Sequence, residues 1–91
     1  MSPTTAKSAR ISRGVLAAVA AAGRAVDAGN ARVLRHAVQT AIGLLKRCDD
    51  ADVIALAIGR LIEIARRCPP SAERDAALAR VQALRGPIGT A

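Results

Sequence analysis

The 91-residue sequence predicts an all-α fold, a small antiparallel four-helix domain with short turns, with a short helical-hairpin repeat as the alternative arrangement of the same helices. Three observations carry this expectation. Hydrophobic residues make up 52% of the chain, and 22 of them are alanine against 22 for valine, leucine and isoleucine together. Alanine has the highest helix propensity, and its small side chain lets helix axes approach. The larger apolar residues recur at steps of three and four, the period of one helix face rather than of a strand. Finally, helix-stopping and helix-capping residues cluster at three places and divide the chain into four segments of helical length. A chain this short holds one core and no second.

The first helix is expected at about 6–28, with an apolar stripe at Ile11, Val15, Val19, Ala22 and Val26. Before it, residues 1–5 with Pro3 read as a flexible leader. Gly29 is a natural left-handed stop and Asn30 a natural N-cap, so the second helix begins at Ala31 and runs to about Arg47. Asp49, Asp50 and Asp52 supply a cap and first-turn acids for the third helix, which Pro69-Pro70 must end. Ser71 caps the fourth, with Glu73 and Asp75 in its first turn and Gly86-Pro87 as its stop. The domain therefore spans 6–86, and 87–91 is a flexible tail. Turns this short are expected to make successive helices antiparallel neighbours.

A displacement of 20 residues reveals a weak internal repeat. It carries Val33, Leu34, Ala37, Val38 and Ile42 onto Val53, Ile54, Ala57, Ile58 and Ile62, and Lys46-Arg47-Cys48 onto Arg66-Arg67-Cys68. Both the second and third helices have apolar arcs of about 180°, wider than a surface helix needs, which marks them as the central pair.

Composition excludes much recognition chemistry. With no Phe, Tyr or Trp, the chain has no aromatic platform for nucleic-acid bases, no aromatic cage and no interfacial aromatic belt. No stretch reaches the ~20 apolar residues of a membrane span, because Arg24 and Arg60 interrupt the best two. The run from Lys7 to Ala22 imitates a targeting peptide, but it is poor in leucine and continues the helical periodicity, so it reads as part of the first helix. Cys48 and Cys68 make no disulfide framework and lack the close spacing of zinc or redox motifs; they read as small hydrophobes in a cytoplasmic protein.

Catalytic candidates are few. His36 is the single histidine and falls among Arg32, Arg35 and Gln39, with no acid placed to orient it. The Asp49-Asp50-x-Asp52 cluster lacks the glycine and distal glutamate of a calcium loop, since Ile54 and Arg60 stand at those positions. No glycine-rich loop precedes a Lys-Ser or Lys-Thr pair, so there is no nucleotide P-loop. We therefore expect no enzyme, no metal and no cofactor.

Charge is the more distinctive signal. Lys and Arg number 14 against 7 acids, a net +7 that lies wholly in the first 48 residues. Arg10, Arg13 and Arg24 recur on the second helix as Arg32, Arg35 and Lys46, each set at i, i+3, i+14 and opposite its apolar stripe. Such a stripe runs about 21 Å and suits a phosphate backbone or an acidic protein surface. Leu56 stands alone in the polar face of the third helix, beside Asp52, Arg60, Glu63 and Arg67. The expected function is a non-enzymatic helical binding module that engages a protein partner or self-associates. The alternative is sequence-nonspecific nucleic-acid binding through the basic stripes, and a membrane is the poorest partner of the three.

Overall fold

The computed structural model describes residues 3–89, with side chains over 7–84. Among these residues the chain forms four helices and no strand: α1 (Pro3–Ala28), α2 (Ala31–Leu45), α3 (Ala51–Arg67) and α4 (Ala72–Gly89). The fold is a small all-α four-helix domain.

Local chemistry explains most boundaries. At the end of α1, Gly29 adopts φ +69°, its N–H donates to the Val26 carbonyl, and the Asn30 N–H donates to the Ala25 carbonyl at 2.9 Å. This is a Schellman motif, and glycine fills its left-handed position without a Cβ penalty. Asn30 then starts α2 by accepting the Val33 N–H on its side chain at 3.2 Å. Asp50 caps α3 in the same way, with one carboxylate oxygen accepting from the N–H groups of Asp52 and Val53 at 3.0 and 3.3 Å. Ser71 accepts the Arg74 N–H at 3.0 Å and so opens α4. These caps satisfy amides that have no intrahelical carbonyl.

Three boundaries differ from the sequence expectation. Pro3 to Thr5, expected as a leader, are helical, because a proline at the first position forgoes only an N–H that has no partner there. Helix α2 stops at Leu45, and Lys46 and Arg47 belong to a tight turn in which the Arg47 and Cys48 amides donate three residues back. Helix α4 continues through Gly86-Pro87 to Gly89. The usual obstacle to helix before proline involves the preceding Cβ, which Gly86 lacks, and so Pro87 costs a hydrogen bond without breaking the last turn. The remaining leader and tail residues, 1–2 and 90–91, lie outside the described residues.

Packing departs further from expectation. Helix α1 packs on α2 and on α3, and α4 packs on α3 and more loosely on α2, whereas the α2 and α3 backbones barely meet. Thus α2 and α3 are diagonal, not a central neighbouring pair. At one end of the domain Ser8 of α1 donates to Asp49, just before α3; at the other, Asp27 near the end of α1 pairs with Arg67 at the end of α3. Like ends meet, so α1 and α3 are parallel. Arg35 in the first turns of α2 pairs with Glu73 in the first turn of α4, so α2 and α4 are parallel as well. The architecture is two antiparallel hairpins, α1–α2 and α3–α4, laid side by side in the same direction. Its thinnest dimension, 15 Å across the Cα atoms, is the thickness of two helix layers.

The hairpins echo one another in burial. Val15, Val19, Ala22 and Val26 of α1 correspond to Ala57, Leu61 and Ile64 of α3 and its C-cap Cys68, and Leu34, Ala37, Ala41 and Leu44 of α2 to Arg74, Ala77, Val81 and Leu84 of α4. The spatial repeat therefore relates alternate helices. The 20-residue displacement seen in the sequence instead superposes α2 on its diagonal, oppositely directed counterpart α3, as the shared period of two core faces allows.

One cluster forms the core, including Val15, Val19, Ile42, Leu45, Ile58, Leu61, Ile64 and Val81. Ala18, Ala22, Ala37, Ala41 and Ala57 are buried among them, which brings the axes close. At Gly14 of α1 the two helices come close, since a Cβ there would stand 3.1 Å from Leu44 Cδ1 of α2.

Candidate functional site

Arg10, Arg13, Arg24, Arg32, Arg35 and Lys46 are all exposed. Arg35 stands apart from the α1 set. Arg35 and Leu44 are nine residues apart, which at 100° per residue puts them on opposite sides of α2, and Leu44 is the residue that meets Gly14 of α1. Arg35 accordingly turns away from α1 and pairs with Glu73 of α4 at 2.8 Å. Among the described residues, Arg10, Arg13, Arg24, Arg32 and Lys46 have no carboxylate partner.

A second surface lies along the seam of α1 and α3. Leu16 and Leu56 are 39% and 49% exposed, and they line one shallow depression together with Ala20, Gly23, Arg60 and Glu63. Sequence reasoning singled out Leu56 but not Leu16. The signal was present, since Leu16 is the one large apolar residue of α1 that falls off the apolar stripe. What the sequence lacked was the knowledge that α1 lies beside α3, which joins the two leucines in one patch. Arg60, Arg66 and Arg67 line it against a single acid, Glu63, and Arg60 and Glu63, three residues apart on the same helix face, make no ion pair among the described residues.

A third feature is a groove of about 670 Å³ where α4 stands off from α2. Leu34, Val38 and Ile42 of α2, Ile64 of α3, and Ala77 and Val81 of α4 contribute its apolar lining. Arg35, Arg67, Arg74 and Arg80 also line it, against a single acid, Glu73. Three of these arginines come from the second half of the chain, whose net charge is zero, and two of the three have carboxylate partners outside the groove lining. Arg67 is drawn to Asp27, and Arg74 bonds the neighbouring Asp75 at 2.9 Å.

The remaining candidates take structural positions. His36 is exposed, and its backbone carbonyl accepts from the Thr40 hydroxyl at 2.9 Å. Of the acid cluster, Asp50 is the α3 cap, Asp52 lies in the first turn, and Asp49 accepts the Ser8 hydroxyl. Cys48 packs against the core with its sulfur 3.8 Å from the Ser12 hydroxyl oxygen, and the half-buried Cys68 thiol donates to the Ile64 carbonyl at 3.3 Å. Both are free cysteines.

No family model, curated protein or solved structure matches the chain. Among the described residues no helix is long and apolar enough to cross a membrane.

Proposed function

We propose that the chain is a non-enzymatic helical binding module that self-associates through its α1–α3 face, with a second copy as the protein partner. The observation that carries this reading is the pairing of exposed Leu16 and Leu56 in one depression edged by Arg60 and Glu63. A two-fold interface brings the same patch from both copies together, so it must be self-complementary. Leu16 and Leu56 of one copy pack on those of the other across such an axis, and Glu63 meets an arginine of the second copy, since Arg60, Arg66 and Arg67 all line the patch. The absence of catalysis in this reading rests on His36, which is exposed on α2 with Arg32, Arg35 and Gln39 close by and no acid at a neighbouring helix position. A cytoplasmic setting suits two free cysteines at opposite ends of α3.

Light scattering on a sizing column measures the mass directly. Detection is by refractive index, because a chain without Trp or Tyr barely absorbs at the usual wavelength. The expected mass is that of a dimer, falling to monomer for Leu56→Asp with an unchanged circular dichroism melt. A wild-type monomer at every concentration, or a dimer unaffected by Leu56→Asp and Leu16→Asp, overturns the reading.

The five exposed cations without carboxylate partners support a second reading, binding to a nucleic-acid backbone without sequence preference. Its signature is a slope of log K on log salt near −4.5 if all five engage phosphates, at about −0.9 per contact on duplex DNA. Replacing Arg10, Arg13 and Arg24 by Gln must weaken binding more than replacing Arg60, Arg66 and Arg80, which removes the same charge. Equal losses from the two sets overturn it.

A further inference from the structure

We propose that the groove between α2 and α4 is a binding site for a single-chain anionic amphiphile, a long-chain carboxylate, with its tail along the apolar lining and its head group at the arginine rim. This site lies on the opposite seam from the self-association face and does not depend on that reading.

Size and lining suit a small ligand. The groove measures about 670 Å³, inside the roughly 300–1,000 Å³ range of small-molecule sites, and is open to solvent along one side. An acyl chain needs no hydrogen bond from its walls. From Leu34 to Ile42 the α2 wall runs about 12 Å, enough for a medium-length chain to lie against α2 on one side and Ala77 and Val81 on the other.

Charge decides the head group. Of the four arginines in the lining, Arg67 and Arg74 are paired with Asp27 and Asp75, which leaves Arg80 and Arg35 for a ligand, and guanidinium recognises carboxylate through two parallel hydrogen bonds. Arg80 is exposed and has no carboxylate partner among the described residues. Arg35 is held only by Glu73, and both side chains of that pair are largely exposed, 59% and 73%. Exposed pairs of this kind contribute little to stability, so exchanging Glu73 for a ligand carboxylate costs little. A neutral amphiphile would use the apolar lining but leave the rim unused.

The test is a calorimetric titration of the full chain with dodecanoate below its micelle concentration. One saturable site per chain is expected, weakened at least tenfold by Arg80→Glu, an exposed position that spares the fold. Ala77→Phe fills the groove and should abolish binding, with circular dichroism reporting that the helices persist. If Ala77→Phe fails to fold, the Arg80→Glu result still decides. Leu56→Asp should bind dodecanoate as the wild type does, which separates this site from the self-association face. Uptake of many molecules without saturation, undiminished binding by either groove variant, or equal affinity for dodecanol overturns the proposal. So does binding of an acidic amphipathic peptide by a chain that ignores dodecanoate.

Discussion

The Ser8 hydroxyl of α1 donates to the Asp49 carboxylate at 3.0 Å, joining two residues 41 positions apart at the matching ends of parallel helices. The hydrogen bond is exposed, so its contribution to stability is small. Its value is as a marker of architecture: together with Asp27–Arg67 at the far ends, it places α1 alongside α3 and sends α2 and α4 to the other layer. Both the leucine patch and the α2–α4 groove follow from that arrangement.

Leu61 and Leu56 lie on opposite faces of α3, at 3% and 49% exposure. Leu61→Asp buries a charge with no partner in the shared core and should unfold the domain, a loss of about 3 kcal/mol or more. Leu56→Asp should stay within about 0.5 kcal/mol for the monomer. Thermal melts by circular dichroism compare them, and equal damage would mean the α3 face is assigned wrongly.

The two thiols flank α3, whose 17 residues span about 25 Å, while a disulfide needs Cα atoms within about 7 Å. No bridge should form between Cys48 and Cys68 of one chain. An intact-mass measurement after mild oxidation should show a monomer of unchanged mass; a loss of two hydrogens from the monomer contradicts the fold.

Two glycines should respond to alanine with opposite signs. Gly29 holds φ +69° in the turn after α1, so Gly29→Ala should destabilise by about 1–2 kcal/mol. Gly59 lies inside α3, where a Cβ meets nothing within 4 Å, so Gly59→Ala should stabilise by about 0.5–1 kcal/mol. Denaturant titrations report both, and a destabilised Gly59→Ala would refute the open space at that position.

Adjacent acids should differ in the same way. Asp50→Ala removes the acceptor of two α3 amides and should cost about 1 kcal/mol. Asp49→Ala removes only the exposed bond from Ser8 and should cost under about 0.5 kcal/mol. Equal losses would show that Asp50 is not the dominant cap.

The sequence by itself determined the fold class, the number of helices and most of their ends. Asn30, Asp50 and Ser71 cap amides two or three residues away, and Gly29 turns the chain within its own hydrogen bonds, so each of these interactions is written within a few consecutive positions. The inward faces were legible for the same reason, since a period of 3.6 residues shows which side of a helix is apolar. Only the tertiary structure decided what each face meets. Period alone matched α2 to α3, yet these two lie diagonally, and no local pattern foretold that Arg35 of α2 would turn to Glu73 or that Leu16 and Leu56 would line one depression. An apolar arc lowers its free energy against any complementary arc, because the hydrophobic effect carries no direction. The choice among partners is made by how all the side chains pack together, with Gly14 admitting Leu44 and buried alanines bringing the axes close, and that choice belongs to no single segment of the chain.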